Sequence, residues 1–419
     1  MALFKITSIQ NNQPIIHYYD NNKSIIYDSN HNIINLASED RCKDMVTNNE
    51  QRQVTKYKKQ FKELRIQLGL NCNFHCKYCI GEHGGHNMKE SKVSLPPKVA
   101  VKNLITLLKD NQIKPKHIVL WGGEPFVYWK YIELLVPALE DLYKGEVSIG
   151  TITNGSLLTC DKVDFLLNHN ISLTISHDGP AFNKYRNDKD PLDNPEVIKA
   201  IHKYYEAKGN KRISYNIVVT PENCNILELA KYLDDKVGIP IDLNFECIVK
   251  NDRISDKIVT PFSDEHKKIL LNHLFVAGTG DVNSRYASIR SLTSHFLQTL
   301  INGKNGEYLN YPCSAPYLDQ VAIDMDGNIL KCHGTDPLLT TIGHISKIEE
   351  CINDTLFKSI DRTNCKDCAV LGLCRGGCPL VEQEDLDCYC KNLQLWYSGI
   401  FASAWYILFN SIIQKIEKI

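Results

Sequence analysis

Polar and apolar residues alternate from position 63 to 70, the pattern of a β-strand with one buried and one polar face. A second apolar run, His-Ile-Val-Leu-Trp at 117–121, reads as a buried strand. Two further strand ends follow, in Gly-Thr-Ile-Thr-Asn at 150–154 and Leu-Thr-Ile-Ser at 173–176. Between and after them, 95–110 and 225–235 carry apolar residues at helical intervals. Strands alternating with helices predict parallel βα units over residues 62–262. Upstream, residues 1–61 hold short runs broken by Asn-Asn and Asp-Asn turns, which predicts a β-meander forming a cap. Downstream, 263–303 read as bridging helices and 393–419 as a C-terminal helix. No internal repeat or low-complexity tract stands out.

Composition narrows the class. At 419 residues the chain is long enough for a large α/β domain with appendages. A formal charge of -1 gives no electrostatic reason to expect nucleic acid as a partner. Sixteen cysteines without a signal peptide argue for a reducing, cytoplasmic setting and metal ligation rather than disulfides.

The cysteines fall into two regions. Cys72, Cys76 and Cys79 form Cys-x3-Cys-x2-Cys directly after the first strand. Three thiolates on one short loop suit a 4Fe–4S cluster with one iron left open, since soft ligands select iron–sulfur or zinc. Zinc is the alternative, with His75 or His83 as a fourth ligand. The second region reads Cys365, Cys368, Cys374 and Cys378, with Cys313 and a Gly-x4-Cys ending in Cys332 upstream, and Cys388 and Cys390 downstream. The remaining Cys42, Cys160, Cys224, Cys247 and Cys351 read as buried apolar residues, or one as a radical-quenching thiol.

The first spacing resembles that of the radical S-adenosylmethionine (SAM) enzymes, and the resemblance extends along the chain. Gly122-Gly123-Glu124-Pro125 looks like the family's Gly-Gly-Glu turn, whose bare backbone receives the amino group of the SAM methionine. Asn154 and the Ser-x-Asp-Gly-Pro at Ser176 and Asp178 look like its further strand-end motifs near the SAM ribose and methionine. By the same likeness Arg186 would pair with the SAM carboxylate, where a guanidinium fork fits better than an ammonium. Tyr78 and Ile248 would cover the two faces of the adenine, a core isoleucine being the bland reading of the latter.

The second region resembles the SPASM domain, the C-terminal extension of radical SAM enzymes that modify peptides and proteins. Its crossed connectivity implies one auxiliary cluster on Cys365, Cys368, Cys374 and either Cys388 or Cys390, and another on Cys313, Cys332 and Cys378. Sulfatase-type maturases carry a further cysteine near Cys313 and an aspartate base after the Gly-x4-Cys cysteine. Here Ser314 to Gln320 offer no cysteine, and His333 stands in place of the aspartate. The fourth position of the Cys313 cluster therefore stays open to Cys390, to a histidine or carboxylate, or to substrate.

The resemblance implies a partial, six-stranded (β/α)6 TIM-like barrel at 62–262, the SPASM domain at 304–392, SAM and three 4Fe–4S clusters. The radical made from SAM would take a hydrogen atom from a ribosomally made precursor peptide and leave an oxidative modification, most simply a crosslink. A redox-neutral epimerase and a formylglycine-type sulfatase or dehydrogenase maturase are the alternatives. His333 would deprotonate the substrate, or hydrogen-bond a cluster sulfur. Implied partners are the peptide, a flavodoxin-like or other low-potential electron donor, and a separate peptide-recognition protein, since 1–61 shows little helical periodicity. The uncharged stretch 395–413 is of membrane-spanning length, but its serines, glycine and asparagine favour a helix packed on the barrel over membrane contact.

Overall fold

A computed structural model describes residues 2–21, 23–38, 57–79, 95–249, 262–280, 285–302, 319–334, 340–351, 362–378, 381 and 385–419. His83, Cys42 and Cys313 lie outside them, and so does the side chain of Cys388.

The alternation read from the sequence becomes β4 (Gln60–Gln67), with Leu64 and Ile66 buried and Glu63 and Arg65 on the other face. Then follow α1 (Pro97–Asp110), β5 (Lys114–Trp121), α2 (Trp129–Tyr143), β6 (Ser148–Thr153), α3 (Cys160–Asn168), β7 (Ser172–Ser176), α4 (Phe182–Tyr185), α5 (Pro195–Ala207), β8 (Ile213–Val219), α6 (Ile226–Val237) and β9 (Ile241–Cys247). Local chemistry sets the helix limits. Asn194 and Asn225 accept backbone N–H groups at the starts of α5 and α6, and Gly238 ends α6 in the left-handed region at φ 79°. The six strands β4 to β9 are parallel and adjacent in chain order, as a partial barrel requires. Their outward residues, such as Leu64, Ile118, Ile175, Tyr215, Ile217 and Leu243, are fully buried under the helices. The inward ones, including Arg65, Thr174, Asn216 and Asn244, are only half-buried and mostly polar. The lumen is therefore open and wettable where a closed barrel would be packed with branched aliphatics.

Two features depart from the expectation. The parallel set does not stop at six: β10 (Gln320–Asp324) joins β4 in parallel, from Gln320 opposite Glu63 to Asp324 opposite Gln67. β11 (Asn328–Leu330) and β12 (Thr341–His344) extend that edge antiparallel, making nine strands in one sheet. The C-terminal helix expected at 393–419 is a helix only in part. It runs Leu386–Phe409 and ends at Asn410, which adopts the left-handed region at φ 47°. The chain then turns into β13 (Ile412–Lys418), which pairs antiparallel with β1 (Leu3–Gln10). The N-terminal strands β1, β2 (Gln13–Asp20) and β3 (Ile25–Tyr27) are thus one sheet with the C-terminus, in the order β13-β1-β2-β3.

The last helix packs Ile400, Phe401, Ala404, Trp405 and Leu408 inward, beside α7 (Asp264–Thr279) and α8 (Ala287–Asn302). No helix among the described residues is long and apolar enough to cross a membrane.

Candidate active site

The loop after β4 carries Cys72, Cys76 and Cys79 at the C-terminal end of the strands. Its backbone is stitched to the loop after β5: Gly123 N–H donates to Gly69 O at 2.9 Å and Glu124 N–H to Asn71 O at 2.9 Å. A Cβ on Gly123 would run into the backbone oxygens of Leu70 and Asn71, and one on Gly122 would lie 2.6 Å from Gly69 O. The glycine pair is thus required by the cysteine loop itself, whatever else approaches it. Burial pushes the Cys72 thiol up to about 12 and the Cys76 thiol up to about 11. Such thiols stay protonated until a cation stabilises the thiolate.

Glu124, expected at the cofactor, has both carboxylate oxygens occupied by the protein. Oε1 accepts from Thr153 Oγ1 at 2.6 Å and Phe126 N at 3.0 Å, and Oε2 from Asn154 N at 2.7 Å. The buried carboxylate ties the ends of β5 and β6 together. Asn154 in turn reaches the cysteine loop, donating from Nδ2 to Asn73 Oδ1 at 2.9 Å.

Asp178 is the hub of a second buried network. Its Oδ1 accepts from Arg186 Nη2 at 2.9 Å and from Val218 N at 3.0 Å, and the Tyr78 hydroxyl donates to its Oδ2. Tyr78 sits between the last two loop cysteines, and the Arg186 guanidinium lies 5.5 Å above its ring. Tyr78, Ala181, Tyr185 and Ile248 form a small apolar cluster separate from the main core, with Cys76 and Val218 against it. Sequence positions 78, 178, 186 and 248 are thereby brought to one place. Ser176 ends β7 on the lumen face, in register with Asn216. Arg186 keeps one buried donor, Nε, without an acceptor.

His333 lies deeper, with both ring nitrogens 3.0 Å from Arg65 Nη1 and its ring edge-on to Trp121 at 4.5 Å. Burial, then the Arg65 charge, holds its pKa well below the ordinary histidine value, so the ring is neutral. Arg65 also pairs with Glu63 at 2.6 Å. Glu246, on the lumen face of β9, is acted on by the charges of Arg65, Arg186 and Asp178. Arg65, Trp121 and Glu246 were not singled out in the sequence. Their signal was there: charged or bulky side chains on the inward face of strands otherwise made of apolar residues.

A second thiol site lies in the C-terminal region. Cys365, Cys368, Cys374 and Cys390 line one pocket with Leu371, Leu393 and Gln394. Cys390, Leu393 and Gln394 reach it from the last helix, at the spacing that places residues on one helical face. Cys390, one of the two cysteines weighed for this set, lines the pocket, and the side chain of Cys388 lies outside the described residues. Arg362 braces the wall, donating to Gly376 O at 2.7 Å and Cys378 O at 3.1 Å. Asn21, from the N-terminal sheet, donates to Lys366 O at 3.1 Å and Cys368 O at 2.9 Å. Cys332 and Cys378 are described but are not among the residues lining this pocket.

The sequence profile of the Radical SAM superfamily matches residues 66–233. That stretch is a radical SAM domain. It contains β5 through β8 and the whole cysteine loop. Among characterised proteins, the chain is similar to the radical SAM cyclopropyl synthase TigE of Paramaledivibacter caminithermalis, at 24% identity over 76% of this chain and 68% of that protein. It is also similar to the GTP 3′,8-cyclase of Vibrio parahaemolyticus, at 25% identity over 48% of this chain and 58% of that protein. Two solved structures share the fold. One is native anSMEcpe with bound AdoMet, at TM-score 0.60 and 21% identity, covering 83% of this chain and 99% of that one. The other is Streptococcus suis SuiB bound to precursor peptide SuiA, at TM-score 0.51 and 18% identity, covering 79% and 76%.

The residues present fit the group that a radical SAM domain takes. Cys72, Cys76 and Cys79 are all free thiols at the strand ends, and a buried guanidinium donor beside them awaits an acceptor such as a carboxylate. Among the described residues no three such side chains converge to hold a single metal ion. Cluster ligands surround several irons rather than meeting at one point, so the two observations are compatible.

Proposed function

We propose that this chain is a radical SAM maturase that oxidises a ribosomally made peptide, removing two hydrogens and joining two of its atoms in a crosslink. The observation that carries this reading is the second thiol-lined pocket, Cys365, Cys368, Cys374 and Cys390, in one chain with the Cys72 loop. When bound, the first cluster and SAM supply a 5′-deoxyadenosyl radical that takes one hydrogen atom from the substrate. Closing a new bond then requires the loss of one more proton and one electron, and Cys365, Cys368, Cys374 and Cys390 would hold a second cluster that would supply an acceptor for that electron. The half-buried polar lumen offers space for a flexible chain, and its walls orient the substrate and limit side reactions with water.

Cys72, Cys76 and Cys79 would hold the SAM-binding cluster. Arg186 would take the SAM carboxylate with its free donor, and Tyr78 and Ile248 would bracket the adenine. Cys332 and Cys378 would serve the third cluster with Cys313. Neutral His333 would accept the proton. A low-potential reductant such as a flavodoxin would supply the first electron. An epimerase would need a thiol facing the substrate. Among the described leftover thiols, Cys224 and Cys351 are buried in the core and Cys160 and Cys247 are partly buried against it, which supports the oxidative reading over the epimerase. The likeness to a cyclopropyl synthase favours one second reading, a ring closed within a single residue with the same loss of two hydrogens.

The test is to reconstitute the chain anaerobically and incubate it with SAM, dithionite and each short polypeptide encoded beside its gene. A product lighter by two hydrogens is expected, with tandem mass spectrometry separating a link between residues from a ring within one. An unchanged mass with solvent deuterium at an α-carbon would overturn the oxidative reading. A new aldehyde in place of a cysteine or serine would overturn the bond-forming one.

A further inference from the structure

The second thiol pocket is attended by two polar side chains that are not cysteines. Gln394 stands one helical turn after Cys390 on the last helix and lines the same pocket. The residue is exposed, yet its amide turns inward, with Nε2 3.7 Å from Cys368 Sγ, a donor on a weak sulfur acceptor. Among the described residues its side chain makes no other hydrogen bond. Arg362 lies behind another part of the wall. Its guanidinium donates to Gly376 O at 2.7 Å, to Cys378 O at 3.1 Å and to Val381 O, and Gly376 itself lines the pocket. Its carbonyl accepts from Cys365 N at 3.0 Å, so the same residue is tied to a second thiol-bearing turn. Those carbonyls satisfy its donors but not its charge: among the described residues no carboxylate pairs with Arg362. That charge bears on the Cys365 and Cys390 thiols.

A donor or a cation beside thiolates stabilises negative charge, and a cluster on four thiolates becomes more negative when reduced. Leu371 and Leu393 line the pocket and are buried, which keeps part of its wall dry and strengthens both effects. We propose that Gln394, acting through Cys368, and Arg362, acting through the Gly376 turn, are positioning residues that raise the reduction potential of a cluster on Cys365, Cys368, Cys374 and Cys390. The site is thereby poised to take up the electron left when the substrate bond closes. This rests on the reading that the four thiols hold a cluster, and adds which protein groups make it an acceptor.

The test is a redox titration of the reconstituted full chain, followed by electron paramagnetic resonance, with iron content measured alongside. The signal that Cys390→Ala loses belongs to the second site. Gln394→Leu and Arg362→Gln are each expected to keep the wild-type iron and that signal. Each should shift its reduction equilibrium about tenfold toward the oxidised form, about 59 mV for one electron. Arg362→Lys, which keeps the charge, should stay near the wild type. An unshifted potential in Gln394→Leu or Arg362→Gln would overturn the proposal for that residue. A potential in Arg362→Lys as low as in Arg362→Gln would overturn the role given to the charge. Iron lost from Gln394→Leu or Arg362→Gln would make that residue a brace of the pocket and overturn its tuning role. If Cys390→Ala lost neither iron nor any signal, the cluster reading itself would fall and the inference with it, a result distinct from a cluster present at an unshifted potential.

Discussion

The two cysteine sites are built in opposite ways. The Cys72 loop offers three thiols beside a small apolar cluster, Tyr78, Ala181, Tyr185 and Ile248, and a polar network tied to strand ends: Glu124 bridging β5 and β6, and Asp178 gathering Tyr78, Arg186 and Val218. One buried donor there, Arg186 Nε, is left over. The second site has four thiols around one pocket, three on short turns and one on the long last helix, with arginine and asparagine bonds bracing its backbone from outside. A site that must exchange a small molecule keeps a vacant position and pre-set donors. A site that only stores an electron can be closed by protein ligands on all sides.

The sharpest way to break this contrast is to remove each set of thiols in turn. Replacing Cys72, Cys76 and Cys79 together by alanine should abolish cleavage of SAM to 5′-deoxyadenosine under dithionite and lower the bound iron by about four per chain. Cys390→Ala should lose a similar amount of iron yet keep SAM cleavage. Deoxyadenosine from the triple variant, or full iron in Cys390→Ala, would show that the two sites do not divide the work as described.

The split also marks what could be read in advance. Alternation at 63–70 and the cysteine spacings were local signals, and they placed the parallel strands and both thiol regions. Long-range pairings left no such trace. Nothing in Gln320–Asp324 announces a neighbour in β4, and nothing in Ile412–Lys418 announces β1, because strand partners are chosen by the closed core rather than by the strand. Bringing Cys390 to the second pocket takes the face of a helix that begins at Leu386, ahead of the 393 expected. His333 read as a neighbour of Cys332, but its ring turns to Arg65 and Trp121 on other strands. Glu124 read as a cofactor contact, and its carboxylate braces the ends of β5 and β6, a role with no local signal in the sequence.

A smaller effect separates bracing from binding within the first site. Arg186→Met leaves the buried Asp178 carboxylate without its cation, and breaking such a pair costs about 3–5 kcal/mol. Urea midpoints on the full chain should show that loss, with much of it recovered in Arg186→Met combined with Asp178→Asn. A midpoint unchanged in Arg186→Met would mean that the arginine is held for a ligand alone.

The mildest probe is protonic, and it touches only the first site, since no histidine lines the second pocket. His177 Nδ1 accepts from Gly179 N at 2.9 Å, while Nε2 donates to Asp190 Oδ1 at 2.9 Å, beneath the ring of Phe182. With both nitrogens so engaged the buried ring is neutral, and burial lowers its pKa despite the attraction of Asp190. The folded value lies below the unfolded one of about 6.5, so the stabilisation is complete above that pH. As pH falls through it, the unfolded chain takes a proton that the folded chain refuses, and stability drops by up to about 1.4 kcal/mol per pH unit. Asp190, held down at about 2 by His177 and Lys236 against its own burial, titrates far below this window. Between about pH 7.5 and 5.5 the wild type should therefore lose more stability than His177→Gln, by at most about 1.4 kcal/mol. His17 and His273, also lowered by burial, are common to both proteins and cancel. Equal losses would mean that His177 takes its proton within the fold, and the joint that carries Asp178 toward the cysteine loop would then be looser than its hydrogen bonds imply.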